Sequence, residues 1–305
     1  MATTSPRRPG LLGTVLILLT VTAAVLGGLW LQFGEREDQD ARSTVGSSAP
    51  DRIDIDASVQ RVDALGRELA LRVRVTPRGA YAEAGGVAPV EDLTLQTSPS
   101  VRGDLSFPAH RRIASVDVPV TLTGGSVTDY PFDAYAAELE FGAVLAGEGV
   151  PVRMTLSSSD ALFALDVGGT TVRDAVAFSA DVSRSRSVLV FAVFMMCAMW
   201  ALAVAVLMGS WFLVSRRKGL TWPALSWMAA TLFALAAFRN AAPGTPPIGS
   251  LLDYLAFFWA EILIAFCVIV VVVRGVRMEG PPAPEAPRGP AVTTVPEAPE
   301  APSPG

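Results

Sequence analysis

A glutamate stands inside an apolar run: Leu251 to Val273 reads "LLDYLAFFWAEILIAFCVIVVVV", with Glu261 near its middle. A central acidic residue costs a spanning helix about 2.5–3.5 kcal/mol on insertion scales. Its usual uses are ion or proton passage, or a hydrogen bond that fixes packing. Glu261 lies ten positions after Leu251, roughly 15 Å along a helix axis. Thr231 lies eleven positions after Leu220 on a preceding apolar run, so on an antiparallel helix it reaches a similar depth. A Thr231–Glu261 hydrogen bond is therefore expected. Tyr254, Phe258, Glu261, Ala265 and Val268 share one helix face by i, i+3/i+4 spacing. Ala265 admits a close neighbour, so this face is expected to be the protected one. Arg239 and Asp253 fall at the outer ends of the same two runs, placed to pair as an interfacial clamp.

Other chemistry is sparse. His110 is the single histidine, which leaves no His-based triad or multi-histidine metal site within one chain. Cys197 and Cys267 both lie in apolar runs, so neither a disulfide framework nor zinc-type Cys/His spacing is expected. Asp51, Asp54 and Asp56 lack the glycine pattern of a calcium loop, and Asp54 and Asp56 alternate along one strand face. No catalytic residue, metal ligand or cofactor site is assigned.

The elements that position these residues are read from hydropathy. The chain has 305 residues, 51% of them hydrophobic and 17% charged, with mean hydropathy +0.43. That balance favours a membrane protein. Four apolar runs are long enough to cross a core about 30 Å thick: 11–31, 188–214, 220–239 and 251–273. The first is read as an uncleaved anchor, since its apolar core exceeds a signal peptide's and no clean cleavage site follows. Arg7 and Arg8, then Arg216, Arg217 and Lys218, then Arg274 and Arg277 fall on one side if all four runs span. Basic short loops stay in the cytoplasm. The expected order is then a cytoplasmic stretch 1–10, an outer domain 32–187, a cytoplasmic loop 215–219, an outer Pro/Gly-rich loop 240–250, and a Pro-rich, disordered cytoplasmic tail 274–305. Both termini are cytoplasmic in a multi-pass protein of the cell membrane. Arg184 and Arg186 sit on the wrong side for the charge rule, at the end of a long translocated domain where that rule is weak.

The outer domain has period two. Ile53, Ile55, Ala57 and Val59 alternate with polar residues, as do Leu69, Leu71, Val73 and Val75, and later Val176, Phe178, Ala180 and Val182. Seven or eight such strands between turn-rich pieces predict an antiparallel β-sandwich, so the fold class is α+β: an outer sandwich and four transmembrane helices. Residues 35–187 hold 15 Arg against 23 Asp and Glu, a balance of −8, which argues against a nucleic-acid partner. The expected partners are the bilayer and either another protein or further copies of the chain.

The sharpest outer motif is "DYPFDAYAAELEFG", Asp129 to Gly142. Pro131 fixes its own φ and pushes Tyr130 towards extended backbone. Tyr130 and Phe132 can flank the corner as an aromatic clamp, and Asp133 can accept from backbone N–H groups near it. The corner resembles the "FPFD" corner in the extracellular sandwich of pentameric ligand-gated channels, although the flanking cysteines are absent and only three helices follow. Over most of Leu11 to Arg277 the chain looks like the multi-pass membrane-protein family DUF4436, a domain of unknown function. The features that carry this resemblance are the "YPFD" corner, the "RNAAPGTPPIGS" loop and the "DYLAFFWAE" helix start. It implies a mainly bacterial membrane protein and supplies no site residues. The leading functional expectation is a non-enzymatic envelope protein whose outer domain senses or binds a partner. An oligomeric channel or transporter component using Glu261 is the alternative. A membrane enzyme acting on lipid or envelope polymer comes third, because a nucleophile–base pair is missing.

Overall fold

The computed structural model describes residues 42–278 apart from 85, 99–100, 102, 173–174 and 217–220, together with 19, 22, 26–29 and 34. The expected spanning helix 11–31, the basic loop 215–219 and the tail 274–305 thus lie wholly or largely outside the described residues.

Eleven strands form two facing sheets. They are β1 (Arg42–Gly46), β2 (Arg52–Asp63), β3 (Glu68–Arg78), β4 (Leu93–Thr97), β5 (Leu105–Phe107) and β6 (Val116–Thr121), followed by β7 (Ala134–Leu145), β8 (Glu148–Val150), β9 (Val152–Ser158), β10 (Phe163–Val172) and β11 (Ala175–Arg184). One sheet runs β1-β9-β2-β3-β6; the other runs β10-β11-β7-β4-β5, with β8 also paired to β7. The alternation read from the sequence is the alternation in space. Ile53, Ile55, Leu69, Leu71, Leu139, Phe141, Met154, Val176 and Val182 are all buried between the sheets. Each such side chain contributes roughly 1.5–3 kcal/mol relative to exposure, which is why a one-residue register slip is forbidden here.

The sandwich is not wholly antiparallel, which corrects the expectation. β2 and β9 pair in parallel, Ile53 opposite Val152 through Val59 opposite Ser158. The chain leaves β8 in the second sheet, crosses at Pro151, and enters the first sheet between β1 and β2. That direction makes β9 antiparallel to β1 and parallel to β2. Pro151 still takes part, since its carbonyl accepts from Ile53 N at 2.9 Å. Hydrophobic alternation sets which face is buried, but it is blind to strand direction.

Strand β11 feeds almost directly into a helix. Only Ser185 separates it from α1 (Arg186–Ser215). Ser185 is held from both ends: its N–H donates to Leu162 O at 3.0 Å and its hydroxyl to Ala161 O at 3.0 Å. Helix α2 (Trp222–Asn240) starts at a Pro-containing first turn, which is where the missing N–H of proline does no harm. The last helix begins with a π-helical turn, Asp253–Phe257, and continues as α3 (Phe258–Met278). The wide turn brings the carbonyl of Leu255 within 3.0 Å of the indole N–H of Trp200 on α1. Arg186–Ser215 and Asp253–Met278 are each long and apolar enough to cross a bilayer. The three helices pack on narrow seams: Ala192, Met195, Met199 and Ala203 on α1, Met228, Thr231 and Leu235 on α2, and Ala260, Ile264, Cys267 and Val271 on α3.

Candidate functional site

The polar residues that matter gather where the sandwich meets the three helices. On the sandwich side the chain turns through a short 3₁₀ segment, Val127–Asp129, capped by the Ser126 hydroxyl, which accepts from Thr128 N at 3.4 Å. Phe132 N donates to Asp129 O at 2.8 Å and closes the corner. This geometry sends Tyr130 out of the sandwich. Its ring is fully buried among Val188, Ala242 and Leu252 of the helical layer rather than in the sandwich core.

Asp133, at the end of the corner, is buried and receives four contacts. Arg184 donates through Nε to Oδ1 at 3.0 Å and to Oδ2 at 3.1 Å, and through Nη2 to Oδ2 at 3.0 Å. Tyr135 Oη donates to Oδ2 at 3.0 Å. The guanidinium of Arg184 lies 4.1 Å from the ring centre of Phe163 and 5.1 Å from that of Tyr130. A buried pair of this kind offsets its desolvation only when every lone pair and proton finds a partner, and here the forked guanidinium meets the carboxylate side-on with aromatic faces above it. Arg184 belongs to the final residue of β11, two positions before α1 begins. The pair therefore locks the corner to the strand that becomes a helix.

On the helical side Arg239, in the last turn of α2, donates through Nε and Nη2 to the two oxygens of Asp253, each at 2.9 Å. Its remaining donors go to main-chain carbonyls of the Pro-rich loop, Nη1 to Pro246 O at 3.1 Å and Nη2 to Pro247 O at 2.8 Å. Proline cannot donate a backbone hydrogen bond but keeps a full acceptor, so the loop presents acceptors to a cation. Asp253 Oδ2 also accepts from Gly249 N at 2.7 Å and from Ser250 N at 3.2 Å. One ion pair thus ties α2, the loop and the π-helical turn together.

The two ion pairs share Tyr130 and the loop. A Cβ built on Gly244 would lie 2.6 Å from Arg184 Nη1 and 3.7 Å from Leu162, so the loop backbone rests directly against the sandwich cation. Gly244 also has φ +74°, a conformation that costs a side chain strain. Burial pushes the Tyr130 phenol up to about 12, with Arg184 opposing and Asp133 reinforcing that rise. Burial, then the charge of Asp133, raises the Tyr135 phenol in the same direction.

The predicted site residues fare unequally. Arg239 and Asp253 form the clamp read from the sequence. Asp133 is a structural anchor, but its partners are Arg184 and Tyr135 rather than neighbouring backbone N–H groups. Tyr130 and Phe132 do not form a joint aromatic clamp: Tyr130 is fully buried while Phe132 is half exposed. Pro131 joins them through a cis Tyr130–Pro131 peptide. Thr231 and Glu261 are not bonded to each other. The Thr231 hydroxyl donates to Trp227 O one turn back at 2.9 Å, the usual outlet for a hydroxyl in a helix interior. The face of Tyr254 and Glu261 is not the protected one. The seam of α3 runs through Ala260, Ile264, Cys267 and Val271, about 100° round from Glu261. Small and aliphatic side chains let helices approach there, whereas a carboxylate and a tyrosine would hold them apart. Sequence reasoning did not assign Arg184 a partner. Its signal was present: an arginine just before an apolar helix on the side that the charge rule disfavours.

Residues 43–183 match the model of DUF4436, described as a domain of unknown function, and residues 184–278 match that of DUF8686, described in the same words. The division falls between Ser183 and Arg184, so the Asp133–Arg184 pair joins the two matched stretches. The "YPFD" corner lies in the first stretch; the Pro-rich loop and the "DYLAFFWAE" helix start lie in the second. No curated protein matches the chain.

Proposed function

For a chain that belongs to the DUF4436 family over residues 43–183, we propose a non-enzymatic, multi-pass protein of the cell envelope whose outer sandwich engages a partner and passes that event to the helical bundle. The observation that carries the reading is the buried junction of Asp133–Arg184, Tyr130 and Arg239–Asp253. A passive anchor needs only a linker. Here the outer domain is joined to the helices by two desolvated ion pairs and a buried aromatic ring, a geometry that resists independent motion. Orientation follows from charge. Arg216 after α1, and Arg274 and Arg277 in α3, lie at the helix ends away from the sandwich, the cytoplasmic end in this reading. A surface for the partner exists on the outward face of the first sheet, where Arg42, Arg74, Ser58, Thr155 and Ser157 line a shallow polar trough.

Two measurements test the reading. In a Cys197→Ser/Cys267→Ser background, Ser179→Cys should react with an impermeant maleimide on intact cells, and Pro290→Cys only after permeabilisation. Labelling of both from one side rejects the topology. For the coupling, Asp133→Asn should raise hydrogen exchange at the start of α1 and in the 241–250 loop together. A change confined to residues 126–135 would make the sandwich a passive, tethered domain.

A further inference from the structure

The flank of α3 that carries Glu261 is left open by its own chain. Tyr254 is 60% exposed, Glu261 is half buried, and Ala265 and Val268 continue the same stripe. Glu261 makes no hydrogen bond or ion pair among the described residues. In a bilayer such a carboxyl group needs a polar partner or water, because hydrocarbon offers neither. The described positions of the first apolar run do not cover it: Leu19, Leu26 and Leu29 are 63%, 61% and 50% exposed.

We infer that this stripe is an interface between copies of the chain, with Glu261 finding its hydrogen-bond partner on a second copy. Three observations converge on that occupant. The stripe is polar at Tyr254 and Glu261 but small at Ala265, the combination that lets helices approach closely while a buried polar group directs their pairing. Both polar groups lie on one line of the helix, two turns apart, so one straight contact covers both. A second copy in the same bilayer presents its own stripe at the same depth, which a soluble partner cannot do. Tyr254 is braced for the contact by Phe258, whose ring stands 5.5 Å away edge-to-face. The inference rests on the membrane reading above and names the partner of the bundle.

The test uses the full chain in lipid nanodiscs. Native mass spectrometry should find a dimer or higher oligomer. In the cysteine-free background Ala265→Cys should form a disulfide between copies, and Phe266→Cys, exposed on the opposite flank, should not. Glu261→Gln, which keeps hydrogen-bonding capacity, should leave assembly intact, while Glu261→Leu should weaken it by roughly three- to thirtyfold. A monomer overturns the inference. So does cross-linking at Phe266→Cys in place of Ala265→Cys, or capture of the stripe by residues 11–31 of the same chain. If the Ser179→Cys and Pro290→Cys labelling holds and the protein is monomeric, this inference fails alone. If that labelling fails, the membrane reading falls first.

Discussion

Arg239→Ala should destabilise the junction by about 3–5 kcal/mol, the range for removing one member of a buried ion pair. The structure supports the upper part of that range. The side chain of Asp253 is fully buried and that of Arg239 is 10% exposed. Truncation removes two guanidinium–carboxylate bonds at 2.9 Å and strands the carbonyls of Pro246 and Pro247. Asp253 keeps only the donors from the loop, Gly249 N and Ser250 N, and Ser250 Oγ at 3.4 Å. Those bonds cannot neutralise its charge. The assay is amide hydrogen exchange of Gly249 and Ser250, whose N–H groups report whether Asp253 still holds the loop. At tenfold per 1.4 kcal/mol, a loss of about 3 kcal/mol raises exchange roughly 150-fold if opening is local. The apolar double replacement Arg239→Met/Asp253→Leu should be milder than Arg239→Ala, because it leaves no orphaned charge. Exchange raised less than about fivefold by Arg239→Ala would refute the clamp as the element that orders the loop. A double variant as damaging as the single would refute the electrostatic account.

Asp133→Ala should lower stability by about 3–5 kcal/mol for the same reason, seen in thermal unfolding, whereas Asp117→Asn in the exposed Arg72–Asp117 pair should leave the melting temperature unchanged. Gly244→Ala should cost about 1 kcal/mol through its positive φ alone, and more as the new methyl group displaces Arg184, measured again by thermal unfolding. Tyr130→Phe removes a buried hydroxyl without a partner among the described residues, and should raise stability at neutral pH by up to about 1 kcal/mol. The same substitution should blunt alkaline unfolding. The folded Tyr130 phenol is held up to about 12, above the unfolded value near 10, so its contribution is complete below pH 10 and is lost as pH rises towards 12. Melting curves across that window check the sign.

Much of this was legible in the residues. Alternation placed the strands, and apolar length placed the helices within a few residues of their observed ends. Arg239 and Asp253 could be paired because each stands at the end of an apolar run, joined by a loop too short to separate them. Arg184 shows the opposite case. Its partner Asp133 is 51 positions earlier, and only the pairing of β7 with β11 brings them together. Nothing local distinguishes Asp133 as an ion-pair partner from Asp133 as a turn cap.

By itself the sequence determined the local periods: two in the sandwich, and helical runs of spanning length after it. It also determined the short tether between them, because those properties reside in consecutive residues. The tertiary structure decided the rest. It inserted β9 parallel to β2, turned Tyr130 away from its own domain, and chose Ala260 and Ile264 over Glu261 for the seam of α3. Each of these outcomes weighs contacts between segments far apart in the chain. Side-chain size at a helix crossing or strand direction at a sheet crossing only acquires an energy when the second surface is present.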